Sequence, residues 1–390
     1  MKRTLAVLAI LVVSVLSPMA AMATTNQEAQ AYSGSHVSFE TESNAVVNYT
    51  VDGTETFESV RVDSQSSARS EFGMDASANL SLFANITGAA LSLQSQSEAQ
   101  ARATVTTESG ATIDANDNGH GSLVVTASDD SQYVVLNTSG SAEVESESEN
   151  RVVFTTEDGT TATAIVVGEG EVAMSGDGNL TASLESESSL AVRTYGESRT
   201  DSDAEQERMI ANGTAAASVY LMQEGDEQVT NTVTYAQDTT VNVSQRAEGQ
   251  VNMTVERAES EGRVVITHVS EETFESAEDV QVMVDGEAAA SASSYAELRQ
   301  AANGGDSSAY MVEQSSSASA SASADVLVGI NHFSTRNVGM TDSSDQSGGD
   351  GSDGDDPGET ETSSGGPGFG VAVALVALLA AAAAFARTRQ

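Results

Sequence analysis

Apolar and polar residues alternate along most of this chain with a period of two, and elsewhere β-branched residues run together. The first pattern marks strands buried on one face, and the second marks strands buried on both. The clearest segments are Val46–Val51, Ser122–Ala127, Gln132–Leu136, Val152–Thr156, Ala162–Val167, Ser218–Met222, Val229–Tyr235, Thr239–Val243, Gln250–Val255, Arg263–Val269 and Val280–Val284. Glycines and aspartates punctuate them. Asp158-Gly159 lies between two such runs and predicts a hairpin, while Asp52-Gly53, Gly168-Glu169-Gly170, Asp177-Gly178-Asn179 and Asp285-Gly286 mark further turns. The pattern is all-β, an elongated multi-strand body built either as sandwiches or as solenoid-like layers.

Two short helices are expected within it. Ser202 and Glu205 have capping-box spacing ahead of Met209 and Ile210, with Gly213 as the stop. Ser294 and Glu297 repeat the arrangement, with Tyr295 and Leu298 on one face and Gly304 behind. Between Ser64 and Ala103 the signals are mixed: Leu80, Phe83 and Ile86 fit a helix, whereas Leu91 and Leu93 alternate like a strand. Ser315–Ala324 alternates serine with alanine, and Val326, Val328 and Ile330 carry the alternation on, so it reads as a strand. Glu55–Ser59 recurs as Glu272–Ser276 and Ser148–Thr155 is echoed by Ser260–Thr267, but at unequal spacings that define no single period. Two β-modules with a boundary near 200–215 remain one possible organisation.

The ends of the chain carry an address. Lys2 and Arg3 precede an apolar run from Leu5 to Leu16, and Ala21-Met22-Ala23 supplies the small residues of a signal-peptidase site, with cleavage after Ala23. Residues 1–23 are thus a signal peptide, 24–36 an N-terminal tail and 37–340 a β-rich ectodomain. An acidic Gly/Ser/Asp stalk covers 341–366, and 367–390 form a C-terminal hydrophobic helix with its flanks. No charge occurs from Gly365 to Ala386, a length that suits a transmembrane helix, and Arg387 and Arg389 beyond it belong on the cytoplasmic side. Pro367-Gly368-Phe369, then the apolar helix, then terminal arginines resembles the PGF-CTERM sorting signal of haloarchaeal cell-surface proteins. The resemblance implies that an archaeosortase removes the tail and leaves the protein attached to a membrane lipid, as a GPI signal does. Without processing, the same stretch is a permanent membrane anchor.

Charge agrees with that address. The formal net charge is −42, and between Thr24 and Gly366 twelve arginines stand against all 58 acidic residues, the only lysine being Lys2. Acidity spread so evenly suits a halophilic protein, because molar salt shortens the Debye length to about 3 Å and screens self-repulsion. The same field would repel phosphates, so nucleic acid is not a partner. With no cysteine, disulfides, thiol catalysis and cysteine metal sites are excluded.

Candidate chemistry is sparse. Eight sequons, at Asn48, Asn79, Asn85, Asn137, Asn179, Asn212, Asn242 and Asn252, make this a candidate glycoprotein. Asp114, Asn116 and Asn118, followed by Gly119, match the first half of a calcium loop, but Val125 stands where the bidentate glutamate belongs and strands flank it. An Asx-rich hairpin turn explains the same residues. His36, His120, His268 and His332 are far apart, and only His120 has suggestive neighbours. There is no G-x-S-x-G elbow, no H-E-x-x-H and no phosphate-cradling loop, and no catalytic residue or cofactor is singled out. The expected function is therefore structural or adhesive, in an exported envelope protein anchored in the cytoplasmic membrane beside an S-layer or other surface components. The alternative is an ectodomain that binds or cuts extracellular polymers with clustered carboxylates. The two part on one point: whether acids converge in a cleft near His120 or spread over a smooth surface.

Overall fold

A computed structural model describes residues 30–342, apart from 75–78, 176–177, 197, 225–226, 248, 271–272, 275–278 and 315–323. The signal peptide with Ala21 and Ala23, the stalk beyond Asp342, the Pro367-Gly368-Phe369 motif, Asp177 and most of the Ser/Ala tract lie outside the described residues, while Thr341 and Asp342, expected in the stalk, end the strand Thr335–Asp342.

The chain is all-β, and its strands form four sheets stacked as two sandwiches. Seven- and eight-stranded sheets, drawn from residues 30–195, make the first lobe; six- and five-stranded sheets, drawn from 215–342, make the second. Neighbouring strands are antiparallel except for two parallel pairs in the third sheet, Ala215–Glu224 with Glu261–Val269 and Ala290–Ser291 with Ala309–Gln314. Within the first lobe, Tyr49, Phe57, Leu136 and Leu180 of the first sheet pack against Ile113, Leu123, Phe154 and Val166 of the second. Val251, Met253 and Met340 of the fourth sheet meet Val219, Val265 and Val328 of the third in the same way.

The two kinds of apolar pattern mark two kinds of sheet. Gln250–Arg257, in the fourth sheet, alternates because only Val251, Met253 and Val255 face a core. Thr161–Val167 and Ser189–Tyr195, in the second sheet, are buried almost throughout because each face meets another layer. On Thr161–Val167, Ala164 and Val166 point into the first core while Ile165 and Val167 point toward the third sheet. The second and third sheets therefore pack on each other, with the helices Asp201–Ala211 (α2) and Tyr295–Ala302 (α3) filling the layer between them.

The sequence expected two helices, and both form, with one shift in register. The capping box of α2 uses Thr200 and Asp203, not Ser202 and Glu205: Asp203 N–H donates to Thr200 Oγ1 at 3.1 Å and Thr200 N–H to Asp203 Oδ2 at 2.8 Å. The shorter aspartate closes the same ring and leaves Glu205 free for Arg208 and Arg299. α3 starts at Ser294 as expected, although Glu297 accepts from Ser293 and not from the cap. Gly262 and Gly329 let α3 lie directly on the third sheet, since a Cβ at either would meet a carbonyl oxygen of α3, 2.0 Å and 2.9 Å away. A further helix, Gln65–Phe72 (α1), comes from the mixed stretch, where Leu80–Phe83 is a 3-10 turn and Leu91–Ser97 a strand. α1 and that turn cover the outer face of the first sheet, with Phe83 stacked 4.1 Å from Tyr133. Asp52-Gly53 and Asp285-Gly286 have positive φ at both residues, as a two-residue hairpin turn demands.

Candidate functional site

The most concentrated chemistry in the protein lies in the layer between the lobes. Three residues of the third sheet form a row across neighbouring strands. Tyr220 is in register with His268, and His268 with Asp325. The Tyr220 and His268 rings stack at 4.2 Å, and His268 Nδ1 donates to Asp325 Oδ1 at 2.6 Å. Opposite them, the second sheet supplies Arg193 and Tyr195 from the strand Ser189–Tyr195. His120 joins from the turn after Thr112–Asn116, held because its carbonyl accepts from both Thr194 N–H and Thr194 Oγ1 at 2.8 Å. Its ring lies 5.3 Å from His268 and 5.4 Å from Tyr195. α2 closes the layer with Asp203, Gln206 and Glu207, whose spacing of three and four puts them on one helix face.

Gln206 and the acids here are held by protein partners. Gln206 bridges the lobes, donating to Asp325 Oδ2 at 2.5 Å and accepting from Arg193 at 3.3 and 3.4 Å. Glu207, with 0% exposure, accepts from Thr163 and Tyr195 at 2.7 Å and from Arg199 at 2.6 and 2.7 Å, with Arg151 at 3.5 Å. Burial alone would raise the Glu207 carboxyl, but those donors outweigh it and hold it below its ordinary range. Asp325 behaves alike: burial pushes it up, and the facing His268 with the Gln206 hydrogen bond brings it down further. His120 is held well below its ordinary 6.5 by burial first, then by Arg193 and His268, so it is neutral.

Three acids thus gather around His120, but not in a cleft. Asp203, Glu207 and Asp325 are 9%, 0% and 7% exposed, and their oxygens are taken up by protein donors. A polymer has no route to them. Of the other histidines, His268 pairs with Asp325 inside the layer and His36 with Asp52 at the surface.

The calcium-like loop has a place in the same seam. Asp114 takes both ends of Arg102, at 2.6 and 3.0 Å, together with Thr104 at 2.7 Å. Asn118 Oδ1 accepts from His120 N–H and Ser122 Oγ, and its amide donates across the lobes to Asn231 at 2.8 Å. Asn231 in turn donates to Asn116 Oδ1 at 3.1 Å and to the Ala101 carbonyl at 3.0 Å. Asp117 accepts from the backbone of Ser35, His36 and Val37 at 2.6–2.7 Å. A calcium ion, which needs about six to eight oxygens, would have to displace these donors. Among the described residues no three histidines or acids are grouped to hold a metal.

The sequons fall into two sets. Asn48, Asn79, Asn85, Asn212 and Asn242 are exposed, whereas Asn137, Asn179 and Asn252 are half-buried within strands. Asn137 sits in the middle of the first sheet between Ser59 and Asn179, with its amide oxygen enclosed. Glycopeptide mapping is expected to find any sugar on the exposed five and none on Asn137; a glycan there would contradict this placement.

Two of the open grooves among the described residues differ in their chemistry. One, of about 500 Å³, is lined by Arg102, Thr230, Thr232, Thr234, Thr240 and Asn242 and holds no acid. The other, of about 430 Å³, is lined by Glu149, Glu171, Glu185 and Arg69, whose guanidinium lies over the Tyr133 ring.

No family model matches the sequence, and no curated protein matches it. Solved structures with a similar course are distant. A glycoside hydrolase of family 81 from Clostridium thermocellum is 10% identical, with a TM-score of 0.33, over 78% of this chain and 34% of that one. A heparinase III is 10% identical, with a TM-score of 0.24, over 57% of this chain and 37% of that one. The chain spans about a third of the length of these structures. Likenesses this slight say nothing about its chemistry.

Proposed function

We propose that this is an exported, C-terminally anchored envelope protein of a halophile, with a structural or adhesive role. The observation that carries the reading is the use of the acids around His120: they lock two sandwiches together in a sealed layer and leave nothing there for a substrate. Large apolar side chains are seldom exposed, with Leu82 and Val144 the instances among the described residues, so the surface is acidic and well hydrated. A double sandwich of this kind, followed in the sequence by a Gly/Ser/Asp tract, suits a rigid spacer. The Pro367-Gly368-Phe369 signal and the arginines behind the apolar helix support attachment through a lipid after processing by an archaeosortase.

Mass spectrometry of the C-terminal peptide from isolated envelopes tests the anchor. Loss of the tail beyond the Pro367 region, with a lipid-sized added mass, is the expected result. An intact Arg389-Gln390 end would replace the sorting reading with a permanent transmembrane helix. The ligand-binding alternative has one observation in its favour, the groove lined by Glu149, Glu171, Glu185 and Arg69. It lies away from His120 and brings carboxylates to open solvent.

A further inference from the structure

A β-sheet ends in strands that leave one row of backbone N–H and C=O groups unpaired. Such edges template pairing with another chain unless they are short, charged or covered. Most edges here are guarded in one of those ways. The first sheet ends in the short strands Gln30–Ser33 and Gly170–Met174. The second ends in Glu143–Ser148, which carries Glu143, Glu145 and Glu147, and in Leu91–Ser97. On that last strand Leu91 N–H donates to the Ser43 carbonyl and the Gln96 side chain to the Ala31 carbonyl, both at 3.1 Å. One side of the second lobe ends in the two-residue strands Glu287–Ala288 and Ala290–Ser291. Its other side has no such guard. Glu227–Thr234 closes the third sheet and Thr239–Ala247 the fourth, eight and nine residues long, with Glu227 their only acid.

These two strands flank the groove of about 500 Å³. Thr230 and Thr232 pair with Leu221 and Val219, which face the core of the second lobe. Val241 and Val243 pack on that core from the fourth sheet without being fully buried. The groove is therefore the open side of the second sandwich. Asn242 lies between the two valines, so its side chain points to the outer face of the edge strand, where it is exposed. Asn242-Val243-Ser244 is one of the eight sequons. We propose that Asn242 carries an N-linked glycan and that this glycan guards the open edge in place of charge. The proposal rests on the exported reading, because sequons are modified on exported chains. Transfer joins Asn242 Nδ2 to the anomeric carbon of a lipid phosphate-linked sugar; the bond from that carbon to the phosphate oxygen breaks, the lipid phosphate leaves, and the amide nitrogen gives up one proton. An added strand would run about 4.7–4.9 Å from Thr239–Ala247, and the sugar takes the place of its side chains opposite Asn242. A guard of bulk suits molar salt. There the Debye length is about 3 Å, shorter than the spacing between strands, so charge repels poorly across it.

Glycopeptide mapping of the full-length protein from its native envelopes, with sedimentation at constant molar salt, tests both halves. Sugar on the Asn242 peptide and a monomeric protein are the expected results. Asn242→Gln and Ser244→Ala both remove the sequon, the second without touching the asparagine. Each should self-associate as concentration rises and gain hydrogen-exchange protection over Thr239–Ala247. Asn85→Gln, which removes an exposed sequon outside the strands, should stay monomeric. A bare Asn242 would overturn the proposal; only retention of residues 1–23 on the mature chain would end the exported reading as well. Variants at 242 and 244 as monomeric as Asn85→Gln would also overturn it, because the edge would then need no guard.

Discussion

Replacing Glu207 with alanine is expected to destabilise the folded protein by about 3–5 kcal/mol, the usual result of removing one partner from a buried ion pair. The size follows from what would be left behind. Glu207 accepts from Thr163, Tyr195 and Arg199 and pairs with Arg151, and none of its own surface reaches solvent. Without it, two arginines that are 18% and 19% exposed keep their charge, and the Tyr195 hydroxyl, deep in the layer, loses its acceptor. Glu207→Gln should cost less, because the amide oxygen still accepts from Tyr195 or Thr163. The control is Glu205→Ala, two residues earlier on the same helix. Its arginine partners, Arg208 and Arg299, are 50% and 38% exposed, so the loss should stay within about 1 kcal/mol. Denaturant unfolding at constant high salt separates these outcomes. Equal losses for Glu205→Ala and Glu207→Ala would mean that the buried layer does not hold the lobes together.

That layer was not legible in the sequence, and the reason is physical. Strands announce themselves by what they repel from water, so all eleven alternating or β-branched segments named from the sequence are strands. Buried polar residues make no such announcement. On α2, Asp203, Gln206 and Glu207 form a stripe that any periodicity argument assigns to solvent, yet it faces the interior. Arg193 hides its own strand in the same way: a charge in the middle of Ser189–Tyr195 breaks the apolar run that would have marked it. The Asp114–Asn118 cluster drew notice for the chemistry of its side chains, but their partners, such as Asn231, lie over a hundred residues away. Spacing along the chain cannot reveal contacts of that range. His120 was singled out for its neighbours in sequence; its neighbours in space, Arg193, His268 and Tyr195, give it a different role.

The same buried histidine should make the fold sensitive to mild acid. His120 is neutral in the folded protein because burial, Arg193 and His268 hold its pKa well below 6.5, while in the unfolded chain it titrates near that ordinary value. Below about pH 6.5 the unfolded state therefore binds a proton that the folded state refuses. Stability contributed by this group is complete above 6.5 and falls as the pH drops, by up to about 1.4 kcal/mol per unit. The groups facing the His120 ring are Arg193, Tyr195, Asp203, Tyr220 and His268, so its protonation would set a second positive charge against the Arg193 guanidinium inside a buried layer. Glu207 and Asp325 act in a lower window. Their folded pKa values are depressed, so they stabilise above the ordinary carboxylate range and withdraw that stability as the pH falls through it. Acid unfolding should therefore begin before Glu207 or Asp325 titrates. His120→Asn should flatten the slope between about pH 6.5 and 5 and leave the steeper loss near pH 4 in place. An unchanged slope in that variant would show that His120 accepts its proton without disturbing the lobes.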